Sequence, residues 1–365
     1  MIPYIIVNII IILLAALCYG IMPNTDTGTN GGTNFASRIF IVLSFIELLI
    51  IAGLRGDFTS DYKNYADIYK YINQYTFIDV FRLEFSQEKG YVLLNKLIGV
   101  FTNHVVVFMI IISFIYLLLF YLGFKKQTSC FWLTVLLFVN IGSYYTSFNI
   151  MRQILAVSIV FAASKYLYNK SIIKYMMVVI IASFIHTTAI IMIPFYFLLN
   201  WKLDKKRIIL LASCLIGCFL FLDIAMMIAV KLGFERYSNY ANGVFSFGLS
   251  KANITSIVIP AAVLFFVVFH QAYLDFNNRI HRIWFNATIF YTFFSILGLK
   301  VFLLQRFSEF FSPFVVLMLT YMITSVKDKY LKTIYILIVV TLLIAFNYIA
   351  LSGTGYDPFY FFWSK

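Results

Sequence analysis

Apolar runs of about twenty residues recur along this chain, and such a run is what a helix needs to cross the roughly 30 Å hydrocarbon core of a bilayer. They lie near 2–22, 36–54, 104–123, 130–147, 150–168, 207–230, 252–274, 283–303, 308–326 and 331–351, with a further stretch at 172–200. Hydrophobic residues fill 62% of 365 positions and charged residues 12%, against roughly 25% charged in soluble domains. A soluble core has no use for that much apolar surface; helices facing lipid do, because each span satisfies its own backbone and presents oil to oil. The expected class is therefore an all-α polytopic membrane protein with roughly eleven spans plus re-entrant or broken helices, built as one integral-membrane domain over 1–365. Met1–Gly20 has no basic lead-in and no small-x-small cleavage pattern, so it reads as a retained first span.

The net charge is +13, yet no five basic residues follow one another, and a nucleic-acid partner is not expected. The bases cluster between spans: Lys125 and Lys126; Lys165, Lys170 and Lys174; Lys202, Lys205, Lys206 and Arg207; Arg279 and Arg282; Lys327, Lys329 and Lys332. Positive charge marks cytoplasmic loops. All five clusters fall on one side only if 172–200 leaves and returns to the same face, as two half-helices of about 14 residues and ~21 Å each meeting near His186. A broken helix at membrane depth is tolerated where it is buried in protein or lines a wet cavity. Cys18, Cys130, Cys214 and Cys218 lie in or beside apolar segments with no His or Cys cluster to complete a metal site; no metal and no cofactor are expected.

The outer face then receives 55–103, 148–150, the region of His186, 231–251, the 300–308 turn and the tail. The segment 55–89 mixes six acids with five bases and many tyrosines, which suggests a folded, partly helical loop, and 90–101 reads as a short amphipathic or re-entrant helix. Four arginines end spans on this face: Arg55, Arg152, Arg236 and Arg306. Each fits interfacial snorkelling. Together, on the side that topology disfavours for bases, they also fit a clamp for diphosphate or anionic lipid, because guanidinium forks match phosphate oxygens. Arg152 with Gln153 opens an apolar helix, where free N–H groups and the dipole favour an anion. His186 is either a packed histidine or a general base near neutral pH. Asp57 and Asp61 share a helical face after Arg55, as a surface pair, an Arg55 counter-ion, a base or a binder of sugar hydroxyls. Glu88 is a similar but weaker candidate. Tyr62 and Tyr237, with Tyr65, Tyr69 and Tyr240, serve either as an aromatic belt or as stacking surfaces for sugars.

The ordered segments GLRGDFTSDYKNY, RLEFSQEKGYVLLN, FNIMRQILAVSIVFAA, FIHTTAIIMIPFYFLL, ERYSNY and QRFSEFFSPF, closed by YDPFYFFW, resemble the EpsG-like group of Wzy polysaccharide polymerases. The resemblance implies a GT-C-like glycosyltransferase of the bacterial cytoplasmic membrane that works on the outer side without a metal. Its donor would be the growing glycan on undecaprenyl diphosphate and its acceptor a new lipid-linked repeat unit, with a chain-length-regulating co-polymerase as a further partner. On that reading Arg55, Arg152, Arg236 and Arg306 bind diphosphate. His186 or Asp61 takes the acceptor proton, and Asp57, Tyr62, Gln153, Tyr237 and Glu88 bind substrate. Attack opposite the leaving group would invert the anomeric centre. A flippase would need ionisable residues through both halves of its spans, and here the cytoplasmic side offers loop bases only. An O-antigen ligase typically carries a long late outer loop, whereas here the large outer segment comes early. A membrane acyltransferase would want a histidine with acidic or asparagine partners on one helix face, and His186 has none nearby.

Overall fold

Uninterrupted apolar runs fold into helices because in lipid a backbone N–H or C=O has only its own helix to bond to. A computed structural model describes residues 2–20, 35–141, 143–231, 251–352 and 356–364, and no strand forms among them beyond one isolated bridge. Its first twelve helices are α1 (Ile2–Tyr19), α2 (Phe35–Gly53), α3 (Ser60–Asn73), α4 (Phe77–Arg82), α5 (Lys89–Gly99), α6 (Val105–Lys125), α7 (Phe131–Ile141), α8 (Ser143–Thr146), α9 (Met151–Ala162), α10 (Ser164–Tyr168), α11 (Ile172–Ile185) and α12 (Met192–Leu198).

The expectation of about eleven spans is met in part. Among the described residues, five helical segments have full spanning length and hydropathy: Ile2–Tyr19, Phe35–Gly53, Val105–Lys125, Lys206–Ile224 and Lys329–Leu351. Several other expected spans are shorter apolar helices: Phe131–Ile141, Met151–Ala162, Ile172–Ile185, Thr187–Leu198, Ile257–Phe269 and Ser312–Thr324. The chain is polytopic and helical, with some of its runs divided. The run 150–168 breaks at Ala163, and 172–200 at His186.

The described residues form two compact units, 1–193 with 320–365, and 194–319. In the first, α6 packs between α2 and α9, and α9 lies against α11. One side of α6 is wholly buried through Phe108, Met109, Ile112, Tyr116 and Phe120, while Phe114 and Leu122 stay exposed, as suits a helix with one side in lipid. Every residue of α7 is buried. Its Asn140 Nδ2 donates to Asn8 Oδ1 at 2.5 Å, and Asn347 Nδ2 donates to Asn140 O at 2.6 Å. This ladder ties three apolar helices through side-chain amides, each such bond worth about 0.6–2 kcal/mol in a bilayer.

The stretch 55–103 is the folded helical loop that the sequence suggests. A capping box closes the start of α4, with Thr76 and Asp79 bonded reciprocally, and α5 is the short amphipathic helix, packed on α3 and α11. The segment Tyr356–Trp363 returns to this loop. Gly56 N donates to Tyr360 O at 2.8 Å, Phe362 N donates to Leu54 O at 3.0 Å, and Arg55 and Phe361 form the antiparallel bridge.

The second unit is built from Lys205–Lys231, Lys251–Phe269, Arg279–Leu297 and Phe302–Ser308, with the start of Ser312–Thr324. Phe195, Phe290, Phe294 and Phe311 stack in its interior. Asn286 Nδ2 donates to Leu199 O at 3.0 Å and to Trp201 O at 2.9 Å, and Lys300 pairs with Asp223 at 2.7 Å.

Candidate active site

The first unit gathers three ionisable residues that lie far apart in sequence. Glu88 is the N-cap residue of α5, but its side chain makes no capping bond to the helix and reaches elsewhere. Oε2 accepts from Arg152 Nη1 at 2.8 Å. Oε1 lies 3.1 Å from His186 Nδ1, and accepts from the Thr187 amide and the Thr187 hydroxyl at 3.1 Å each. Arg152 comes from the second position of α9, and His186 and Thr187 from the break after α11.

Local structure explains each position. Ile150 caps α9 with non-helical backbone and no side-chain bond, so the helix start keeps its N–H groups and positive dipole end for an anion. The Glu88 carboxylate supplies one anion there. His186 ends α11 in an extended conformation (φ −153°, ψ 117°), and a 3-10 turn, Thr187–Ile191, follows. The break turns the imidazole and the Thr187 donors toward Glu88. α5 meets this break at very short range. A Cβ on Gly90 would stand 2.6 Å from the Phe184 carbonyl oxygen and 2.8 Å from the Phe184 Cβ, so only glycine lets Glu88 come so near His186. Gly90→Ala is expected to push the two apart, lowering stability by about 1–3 kcal/mol and slowing turnover. Thermal melting of the purified protein and an activity assay check both; an unchanged melting temperature would mean the contact is looser than drawn.

Electrostatics fix the roles. Burial would raise the Glu88 carboxyl, but hydrogen bonds from His186, Thr187 and its own backbone, with the charge of His186, outweigh it and hold the pKa at about 2. A carboxylate so acidic is a poor proton acceptor at neutral pH and a good anchor for donors. An ionised carboxylate can only accept, so the His186 nitrogen facing it, Nδ1, carries the proton. In a neutral ring Nε2 is then the basic nitrogen. The lowered pKa also stabilises the fold with a definite sign. The contribution is complete above the ordinary value of 4.5 and is lost as pH falls toward about 2, with a size on the order of 3 kcal/mol. Melting curves of wild type and Glu88→Gln are therefore expected to differ at pH 5 and to converge only below pH 4. Convergence near pH 6 would contradict this.

Two tyrosines complete the cluster. The Arg152 guanidinium lies over the Tyr91 ring, 5.4 Å from its centroid, and Tyr65 is buried against the same guanidinium. Sequence reasoning missed Tyr91 and Thr187. The only signal for Thr187 is a polar pair directly after the histidine in an apolar run, and for Tyr91 its place in EKGY.

The remaining expected site residues are placed differently. Arg55 is 0% exposed. Its Nη1 donates to Ala52 O, and its Nη2 lies 3.9 Å from the sulfurs of Met109 and Met151. The rings of Phe148 and Tyr62 lie 5.2 and 5.8 Å away. It forms no ion pair with a described residue. Asp57 accepts from the Tyr360 hydroxyl at 2.7 Å and pairs with Lys63 at 3.8 Å. Asp61 sits in the first turn of α3 and no described contact joins it to His186. Tyr62 and Gln153 are buried. Arg306 is in Phe302–Ser308 of the second unit, and Arg236 and Tyr237 lie outside the described residues.

The family comparison joins these features to a known group. The family described as EpsG matches residues 38–363, which include the whole Glu88 cluster. No curated protein and no solved structure matches the chain.

Proposed function

The chain belongs to the EpsG family, which suggests a polysaccharide-polymerase role, and from that premise we propose that it extends a glycan carried on undecaprenyl diphosphate at the outer face of the bacterial cytoplasmic membrane. The observation that carries this reading is Glu88 holding His186 on one carboxylate oxygen and Arg152 on the other. A proton acceptor and a phosphate-matching cation then share one rigid anchor.

The chemistry follows from that pairing. Nε2 of His186 takes the proton from the acceptor hydroxyl as its oxygen attacks the anomeric carbon of the donor, and the bond from that carbon to the diphosphate oxygen breaks. The imidazolium that forms lies beside the Glu88 carboxylate, which stabilises it and holds the ring in one tautomer, the logic of a base–orienter pair. Charge accumulates on the departing diphosphate, and Arg152, fixed beforehand by Glu88 and Tyr91, stabilises it without reorganising. Its guanidinium has five N–H donors, so the one given to Glu88 leaves others for phosphate. Attack from the face opposite the leaving group inverts the anomeric centre. For Arg55, Arg236 and Arg306 a role in binding diphosphate rests on the family resemblance, and protein encloses Arg55 here. Asp61 stands as the second choice of base.

The test is the fate of repeat units in a strain lacking this chain. Loss is expected to leave single repeat units on the lipid carrier at the outer face, with long polymer restored by the wild-type copy. Repeat units trapped on the cytoplasmic side would identify a flippase instead.

A further inference from the structure

A cavity of about 420 Å³ lies between α3 and the returning segment Tyr356–Trp363, lined by Asp57, Tyr62, Asp67, Lys70, Tyr360 and Phe362 among others. That is within the roughly 300–1,000 Å³ of small-molecule sites. We propose that it is a saccharide subsite, holding sugars of the lipid-linked glycan that lie away from the reacting bond. The proposal rests on the glycan-polymerase reading above.

One wall is a single face of α3. Lys63, Asp67 and Lys70 recur at i, i+4 and i+7, so they line one stripe of the helix. The other wall is preformed. The returning segment is pinned by the backbone bonds from Gly56 to Tyr360 and from Phe362 to Leu54, by the Tyr360 hydroxyl on Asp57, and by Phe58 against the rings of Phe359 and Tyr360. A Cβ at Gly56 would stand 2.4 Å from the Tyr360 ring, so the wall seats against a residue with no side chain. A wall held in place beforehand spends little binding energy on ordering.

The lining chemistry suits a sugar better than a phosphate or a lipid tail. Carboxylates accept from neighbouring hydroxyls, lysine donates to hydroxyl or ring oxygens, and aromatic faces, negative at their centres, receive the C–H side of a pyranose. Two acids, Asp57 and Asp67, meet two bases, Lys63 and Lys70, so the cavity has no cationic excess to select an anion. The side chains of Asp67 and Lys70 make no hydrogen bond or ion pair with another described residue, and both residues are exposed, so their charged groups are open to a ligand.

Position argues for sugars distant from the diphosphate. α3 also carries Tyr65, which is buried against Arg152, while Asp67 and Lys70 face the cavity. The helix thus has one residue at the cation expected to meet the diphosphate and others at a neutral polar cavity, as needed to read the glycan beyond its first linkage.

Two measurements on the full chain test this. Asp67→Asn removes a charge-assisted acceptor on an exposed side chain, and is expected to raise the KM for lipid-linked repeat units about tenfold with kcat nearly unchanged. In native membranes supplied with the strain's own lipid-linked repeat units, a photoreactive benzoyl-phenylalanine at Lys70 is expected to give sugar-bearing adducts. The same group at Asn64, exposed but outside the lining, is expected to give none. An unchanged KM together with no sugar adduct at position 70, or equal adducts at both positions, would overturn the subsite while leaving the polymerase reading intact. Adducts with phospholipid alone would also overturn it. If the wild type forms no polymer, the polymerase reading itself fails, and the adducts alone then decide whether the cavity holds sugar.

Discussion

Replacing His186 by alanine is expected to slow chain extension by roughly 10²–10⁴-fold, the range for loss of a general base, with the protein still inserted at its normal level. The imidazole is held through Nδ1 by a carboxylate with a pKa of about 2, so one tautomer is enforced and Nε2 is the basic nitrogen. The substitution removes that nitrogen and leaves Glu88 with its Arg152 and Thr187 donors, so the fold is expected to survive. Glu88→Gln separates the base from its anchor. The ring remains, but the amide neither compensates an imidazolium nor accepts three donors on one oxygen as a carboxylate does. A smaller loss of rate is expected, with the pH–rate profile displaced. Release of lipid diphosphate by purified protein across pH 5–9 checks both variants. A His186→Ala enzyme with the wild-type rate would transfer the role of base to another residue, with Asp61 the first to examine.

Arg152→Ala is expected to cost about 10²–10³-fold in kcat, the usual loss when a preorganised donor to a developing anion is removed. Arg152→Lys is expected to recover little of it. A lysine keeps one positive charge, but it lacks the planar fork that bonds Glu88 and phosphate oxygens together, and it does not lie flat over a ring as the guanidinium does over Tyr91. The alanine variant also strands the Glu88 carboxylate without its cation, and part-buried charges left unpaired destabilise by roughly 1–3 kcal/mol. A modest fall in melting temperature should accompany the loss of activity. If lysine restores activity fully, Arg152 acts only as a point charge and the fork argument fails.

Some of this architecture was legible in the sequence because it is written in local patterns. The runs 2–22, 36–54 and 104–123 became α1, α2 and α6 nearly end to end, since hydropathy and length alone decide whether a segment suits lipid. The break at His186 was legible as well, because 172–200 fits neither one span nor two. What the pattern did not carry was depth and pairing. Arg55 ends its span as expected, yet it is enclosed by Ala52, Met109, Met151, Phe148 and Tyr62, contacts set by four separate segments. Glu88, one of six acids in 55–89, reads from the sequence only as a weaker substrate-binding candidate. Its importance arises from partners 64 and 98 residues away, and no local spacing encodes a meeting at that range. The aromatic tail was visible as YDPFYFFW, but its seat against Gly56 depends on a backbone approach that only coordinates reveal.

The most direct test of the central claim is stoichiometric. Purified protein in lipid nanodiscs, given lipid-diphosphate-linked repeat units, is expected to release one lipid diphosphate for each new glycosidic bond, and Arg152→Ala and His186→Ala are expected to stop both together. Repeat units left intact by the wild-type protein, or consumed without release of lipid diphosphate, would contradict the account.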